Sequence, residues 1–167
     1  VKGFDNAMAE QRQRAKGANS NIDLTVQNSI DQLGSELGET NFLGYEVLEH
    51  SSYVKGLVVN GKSTNRGISN DKVQVVLDST SFYAEGGGQI GDCGMLVGDE
   101  SDADAFLVEI NTVMRNRNIF VHEGLIKRGS LQVGDVVHAR VDGVSRRRVQ
   151  ANHTATHLLQ SALKQVV

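Results

Sequence analysis

The sequence predicts a mainly β chain of the α+β class, an antiparallel β-barrel with short helices before it and one helix after it. Three observations point there. Proline is absent while glycine is abundant, 18 of 167 residues, so reversals must be made with Gly, Asn, Asp and Ser. From Phe42 onward, short runs rich in β-branched residues are separated by those turn-formers, the pattern of short strands at close spacing. The hydrophobic period is helical only toward the two ends of the chain. A composition of 39% apolar and 22% charged residues fits a folded domain and not a disordered or collagen-like one.

Residues 4–16 are polar and helix-prone, with Phe4, Ala7, Met8, Gln11 and Ala15 as a weak stripe. Small polar residues over 17–21 break that segment. A second amphipathic stretch places Val26, Ile30, Leu33 and Leu37 at helical spacing, with Gly38 as its C-cap. Residues 1–40 are thus expected to be a helical linker. The barrel is expected over residues 41–141, with strands over 54–59, 73–77, 95–97, 105–113, 118–126 and 136–141. Asn60-Gly61 has the chemistry of a two-residue hairpin turn. Short strands of this kind suggest a closed or nearly closed barrel. Residues 142–167 form the last unit, a helix with Asp142 or Ser145 as N-cap. No cap follows Val167, and the chain is expected to be a piece of a longer protein.

A formal net charge of -3 gives no global basic field, so nucleic-acid binding would rest on a local patch, Arg146, Arg147 and Arg148. The single cysteine, Cys93, excludes an internal disulfide and fits a reducing compartment. No apolar stretch approaches the roughly 20 residues that cross a bilayer, and the first residues lack a signal-peptide core. A soluble intracellular protein, cytoplasmic or organellar, with no membrane partner is expected.

His153 and His157 stand four apart on the final helix, which puts both imidazoles on one face about 6 Å apart along the axis, within reach of one metal ion. Ala155, Leu158, Leu159, Ala162, Leu163 and Val166 gather around another direction, so the pair faces solvent or a cleft and not the core. The intervening Thr154, Ala155 and Thr156 lack the glutamate of H-E-x-x-H, which argues against a zinc peptidase. Two imidazoles fall short of the donors a zinc ion takes. Either the pair is exposed or packed without metal, or further donors lie beyond Val167.

Residues 85–91 read EGGGQIG and formally contain G-x-G-x-x-G. No helical stripe follows, so the dinucleotide reading fails, and no Gly-Lys-Ser/Thr follows to make a phosphate loop. What remains is a wide turn or bulge that uses glycine for positive φ, or a pocket floor that admits a ligand closely and presents the Gln89 amide. Thr80, Glu85 and Gln89 are the polar side chains expected nearest such a pocket and the candidate catalytic residues.

The string LDSTSFYAEGGGQIGDCG, residues 77–94, resembles the L-D-x-T-x-F-Y-x-E-x-G-G-Q-x-G-D-x-G signature of the alanyl-tRNA synthetase editing region. VDGVSRRRVQANHTATHLLQSAL, residues 141–163, resembles the same family's V-D-x-x-R-R…N-H-x-A-T-H-L-L. Between them GSLQVGDVVHARVD, residues 129–142, is similar to the barrel's G-x-L-x-x-G-D-x-V segment. GFDNAMAEQRQRAK, residues 3–16, and TNFLGYE, residues 40–46, resemble the family's stretch just before this region and its approach to the barrel. One departure is Ser81, where the family usually carries proline.

The resemblance implies a translation-protein-like barrel followed by the first helix of an editing core. The parent would be an alanine-tRNA ligase that also hydrolyses tRNA(Ala) mischarged with serine or glycine. It implies zinc held by His153 and His157 together with a C-x-x-x-H farther along, Gln89 lining the editing pocket, and Thr80 sensing the serine hydroxyl. ATP and Mg would belong to an aminoacylation domain absent from this chain. The expected partners are tRNA(Ala) and its seryl and glycyl forms. Arg146, Arg147 and Arg148 are candidate phosphate contacts, since positive charge at a helix start opposes the macrodipole; the alternative is a solvated or intrachain-paired face. The chain alone is expected to bind zinc weakly and deacylate poorly. Two further readings are a free-standing editing deacylase, which residues 1–40 argue against, and a non-catalytic RNA-binding barrel.

Overall fold

The computed structural model describes residues 24–86, 89–99, 101 and 105–166. The helix expected over residues 4–16 lies outside them. Helix α1 (Leu24–Glu36) comes first, followed by strands β1 (Asn41–Phe42), β2 (Glu49–Val59), β3 (Lys62–Ser63), β4 (Arg66–Ile68), β5 (Lys72–Leu77) and β6 (Ser79–Thr80). Next come β7 (Gly94–Val97), β8 (Leu107–Asn116), β9 (Ile119–Arg128), β10 (Ser130–Gln132), β11 (Val136–Val141) and helix α2 (Gly143–Val166). Neither described helix is long and apolar enough to cross a membrane.

Six strands close a barrel. β11, β7, β8, β9, β5 and β2 are antiparallel neighbours in that order, and β2 pairs back onto β11 from Tyr53↔Val136 to Glu49↔Arg140. Closure leaves no long unpaired edge. Each of the six contains or overlaps an expected strand. β2 departs most, since it begins at Glu49 and not Val54. Its period of two is regular as far as Lys55, with Glu49, Ser51, Tyr53 and Lys55 exposed, but the inward positions His50 and Ser52 are polar and conceal the alternation. Ser52 is accommodated by donating to the Asp78 carboxylate at 2.6 Å. Burial works against the Asp78 charge, yet hydrogen bonds from Ser52, Tyr53 and Ser79 outweigh it and hold the carboxyl below its ordinary range.

The barrel is filled by aliphatic side chains such as Val54, Leu57, Val75, Leu96, Val108, Ile110, Ile126 and Leu131, with Phe82 among them. Fully burying each such side chain contributes about 1.5–3 kcal/mol. A second cluster lies on the outer wall, where Ile30 and Leu33 of α1 cover Val58, Val76, Ile119 and Val121, with Val26 and Leu37 at its margin. The stripe of α1 is therefore the one its spacing predicts. Gly56 makes that seat, since a Cβ there would lie 3.0 Å from Leu37 and 3.2 Å from Leu33.

Asn60 and Gly61 adopt φ of 49° and 85° and join β2 to β3, as a type I′ turn requires. Gly38 does not act as the left-handed cap expected of it: α1 ends at Glu36, and among the described residues the left-handed ones are Asn60, Asn70, Arg117, Gly61, Gly129 and Gly134. The chain leaves α1 instead through Thr40, whose N–H donates to Asn118 O at 3.0 Å. At α2 the N-cap is Asp142. Its Oδ1 accepts from the Val144 and Ser145 N–H groups at 2.9 and 3.1 Å, and its Oδ2 from the Ser145 hydroxyl at 2.9 Å. These donors hold the Asp142 carboxyl below its ordinary range.

Candidate functional site

The glycine-rich segment is a tight reversal. Gly86 and Gln89 exchange backbone hydrogen bonds of 3.2 and 3.0 Å, while Gly87 and Gly88 lie outside the described residues. Glu85 ties the turn to β8 by donating its N–H to Val113 O at 2.7 Å. Glu85 is exposed and Gln89 half-buried.

Thr80 sits elsewhere, wholly inside the barrel. Its hydroxyl lies 2.7 Å from His122 Nε2 and accepts the Phe82 N–H at 3.1 Å. His122 Nδ1 is 3.0 Å from Val75 O. A carbonyl only accepts, so Nδ1 carries the hydrogen and Nε2 accepts from the Thr80 hydroxyl. Burial pushes the His122 pKa down to about 4, with the hydrogen bond to Val75 opposing and the charge of His50 assisting. A neutral imidazole thus locks β9 to β5 and to β6. Spacing alone recruits none of the strand histidines, and His122 enters only because β5 and β9 pair.

The three consecutive arginines part company. Arg147 and Arg148 are exposed, whereas Arg146 is buried. Its Nε and Nη2 both donate to Asp92 Oδ2, the former at 3.0 Å. Its remaining reach goes to two carbonyls, Nη2 to Ser81 O and Nη1 to Gly44 O, the latter at 3.0 Å. The same Asp92 oxygen accepts the Tyr83 N–H at 2.6 Å. Beside it, the Asp142 N–H donates to Cys93 O at 2.9 Å. The first turn of α2 is thereby tied to the chain leaving the glycine turn, to the segment after β6 and to the loop after β1. Asp92 also neutralises a cation that the helix dipole disfavours at that position. Of the three, Arg147 and Arg148 present their charge to solvent.

His153 is exposed on α2, and the side chain of His157 lies outside the described residues. The apolar face of this helix is also open, with Leu158, Leu159 and Leu163 at 67%, 61% and 53% exposure. Among the described residues no group of three or more His, Cys, Asp or Glu side chains is placed to hold a metal ion.

A cleft of about 700 Å³ opens beside the glycine turn and includes Glu85 but neither Thr80 nor Gln89 in its wall. Its centre is Phe42, which stacks on Phe120 at 5.4 Å and meets Tyr45 and Tyr83 edge-on at 5.0 and 6.0 Å. The Arg115 guanidinium lies 5.8 Å from the Phe120 centroid. Phe42 and Tyr45 share one segment, while Tyr83 and Phe120 are brought to them only by the fold.

Comparison with known proteins gives a consistent match. Residues 1–145 match the family described as tRNA synthetases class II (A). The chain is 59% identical over 165 residues to the alanine–tRNA ligase of Synechococcus sp. (strain WH7803), covering 99% of this chain and 18% of that protein. It is 56% identical over 167 residues to the alanine–tRNA ligase of Prochlorococcus marinus (strain MIT 9313), covering 100% and 19%. To that of Synechococcus sp. (strain CC9311) it is 57% identical over 166 residues, covering 99% and 19%. The chain thus spans about a fifth of the length of the curated relatives it matches.

Proposed function

The chain belongs to the class II (A) tRNA synthetases and matches alanine–tRNA ligases along its length, and from that premise we propose that it serves hydrolytic editing. Within a ligase that charges tRNA(Ala) using ATP, it is the barrel and leading helix of a module that hydrolyses tRNA(Ala) mischarged with serine or glycine. The observation that carries this reading is the Arg146–Asp92 tie. It fixes the base of the histidine-bearing helix to the glycine-turn segment, the two parts of the chain that carry the family's editing motifs.

Ester hydrolysis needs a positioned water and stabilisation of the developing oxyanion. Rejecting serine but sparing alanine needs a group that recognises one hydroxyl. In this proposal Gln89 and Glu85 meet the substrate from the turn. Thr80, already bonded to His122 and Phe82 N–H, acts from beneath by fixing the shape of that segment. Arg147 and Arg148 meet tRNA phosphates. The described residues do not by themselves fit a zinc ion, since they gather no set of three donors. His153 and His157 are proposed as two of its donors, the others coming from the rest of the ligase; bound zinc would supply a Lewis acid. The test is His153→Ala in the ligase that carries this chain, with metal content by elemental analysis beside hydrolysis of seryl-tRNA(Ala). Loss of bound zinc with slowed hydrolysis is expected. Full metal and an unchanged rate would remove His153 from the site.

A further inference from the structure

We propose that the aromatic cleft beside the glycine turn is a stacking site for an unpaired RNA base that bears an exocyclic amino group. The inference rests on the RNA partner proposed above and gives that partner a second foothold, one that shares Glu85 with the turn. Tyr45 is 85% exposed while its ring meets Phe42 edge-on, so a large ring face is offered to solvent at the cleft. Tyr83, also exposed, meets Phe42 edge-on from another segment. Exposed aromatic faces bind unpaired bases by stacking, and duplexes, whose bases are already stacked, cannot use them. The cleft's volume of about 700 Å³ lies in the range of about 300–1,000 Å³ usual for small-ligand sites.

The polar rim decides the class of base. Glu39 and Glu85 both line the cleft, and carboxylates accept from the amino groups of adenine, cytosine and guanine, while uracil offers carbonyls at the corresponding place. Arg115 lies on the same wall, its Nε donating to Arg117 O at 3.1 Å. A guanidinium there suits a neighbouring phosphate and opposes a cationic peptide, which two carboxylates alone would otherwise attract.

The test measures binding of labelled oligoadenylate, oligouridylate and a blunt RNA duplex to the whole chain by fluorescence anisotropy. Oligoadenylate is expected to bind more tightly than oligouridylate. Tyr45→Ala, at an exposed position, should weaken oligoadenylate by roughly 5- to 100-fold and leave the duplex unchanged. Glu39→Gln with Glu85→Gln should narrow the gap between the two single strands. Duplex binding with no Tyr45-dependent binding of oligoadenylate overturns the cleft assignment while the RNA reading stands. Binding of no RNA at all overturns both. Binding of an oligoarginine peptide that Tyr45→Ala abolishes, without any for oligoadenylate, reassigns the cleft to a cationic peptide.

Discussion

Replacing Arg146 with methionine keeps most of the side chain's volume and removes every donor it offers. Asp92, with its side chain 5% exposed, is left without its counter-ion and with only the Tyr83 N–H as a donor, and Ser81 O and Gly44 O each lose a donor. Breaking one partner of a buried ion pair costs about 3–5 kcal/mol, because the remaining charge stays desolvated. For a chain of this size each kcal/mol lowers the melting temperature by about 2–4 °C, so a fall on the order of 10 °C is expected. Urea unfolding monitored by circular dichroism gives the free energy, and hydrogen exchange at the first turn of α2 shows whether its base loosens. Arg146→Lys should recover only part of the loss, since one ammonium cannot reproduce a planar fork spread over three acceptors. Arg146→Met combined with Asp92→Asn should be less damaging than the two single losses summed, because no bare charge remains. Arg147→Met, at an exposed position, should stay within about 0.5 kcal/mol of the parent. A loss below about 1 kcal/mol for Arg146→Met, the range of exposed pairs, would refute the reasoning.

Three other outcomes follow from the same geometry. The His122 pKa is lowered from 6.5 to about 4, so the unfolded chain takes a proton where the folded one does not. Its contribution is therefore intact above pH 6.5, falls by about 1.4 kcal/mol per pH unit toward pH 4 and is flat below; pH-dependent urea unfolding of His122→Gln, if it retained that slope, would assign it to other groups. Thr80→Val strands His122 Nε2 and the Phe82 N–H and should cost about 1–3 kcal/mol by thermal unfolding, with Thr80→Ser close to the parent; equal losses for both would mean that packing and not the hydroxyl matters. Gly56→Val drives a side chain into Leu33 and Leu37, which should cost about 1–3 kcal/mol and expose α1 to protease; unchanged protection of α1 would contradict its seat on β2.

Much of the fold was legible because the signals were local. The stripe Val26, Ile30, Leu33 and Leu37 identifies the buried face of α1, and Asn60-Gly61 marks its hairpin. The start of β2 was hidden because His50 and Ser52 are polar residues in inward positions. Gly38 shows the converse error, a glycine at the right place in sequence whose conformation the turn does not require. The site was less legible because its contacts join distant segments. Arg146, Arg147 and Arg148 look alike in sequence, yet only Arg146 shares a helix face with half-buried Val149 and turns toward Asp92. Thr80 looks like a pocket residue until the pairing of β5 and β9 brings His122 against it.

The central claim is that this barrel and helix serve to edit mischarged tRNA(Ala). Its most direct test is the hydrolysis of seryl-tRNA(Ala) beside alanyl-tRNA(Ala) by the ligase that carries this chain. The account predicts that the serine ester is cleaved at least about 100-fold faster, inside the discrimination of roughly 10⁴–10⁵ that a site bonding the substrate's hydroxyl can reach. A serine ester that persists at its spontaneous rate, in an enzyme that still charges alanine normally, would contradict it.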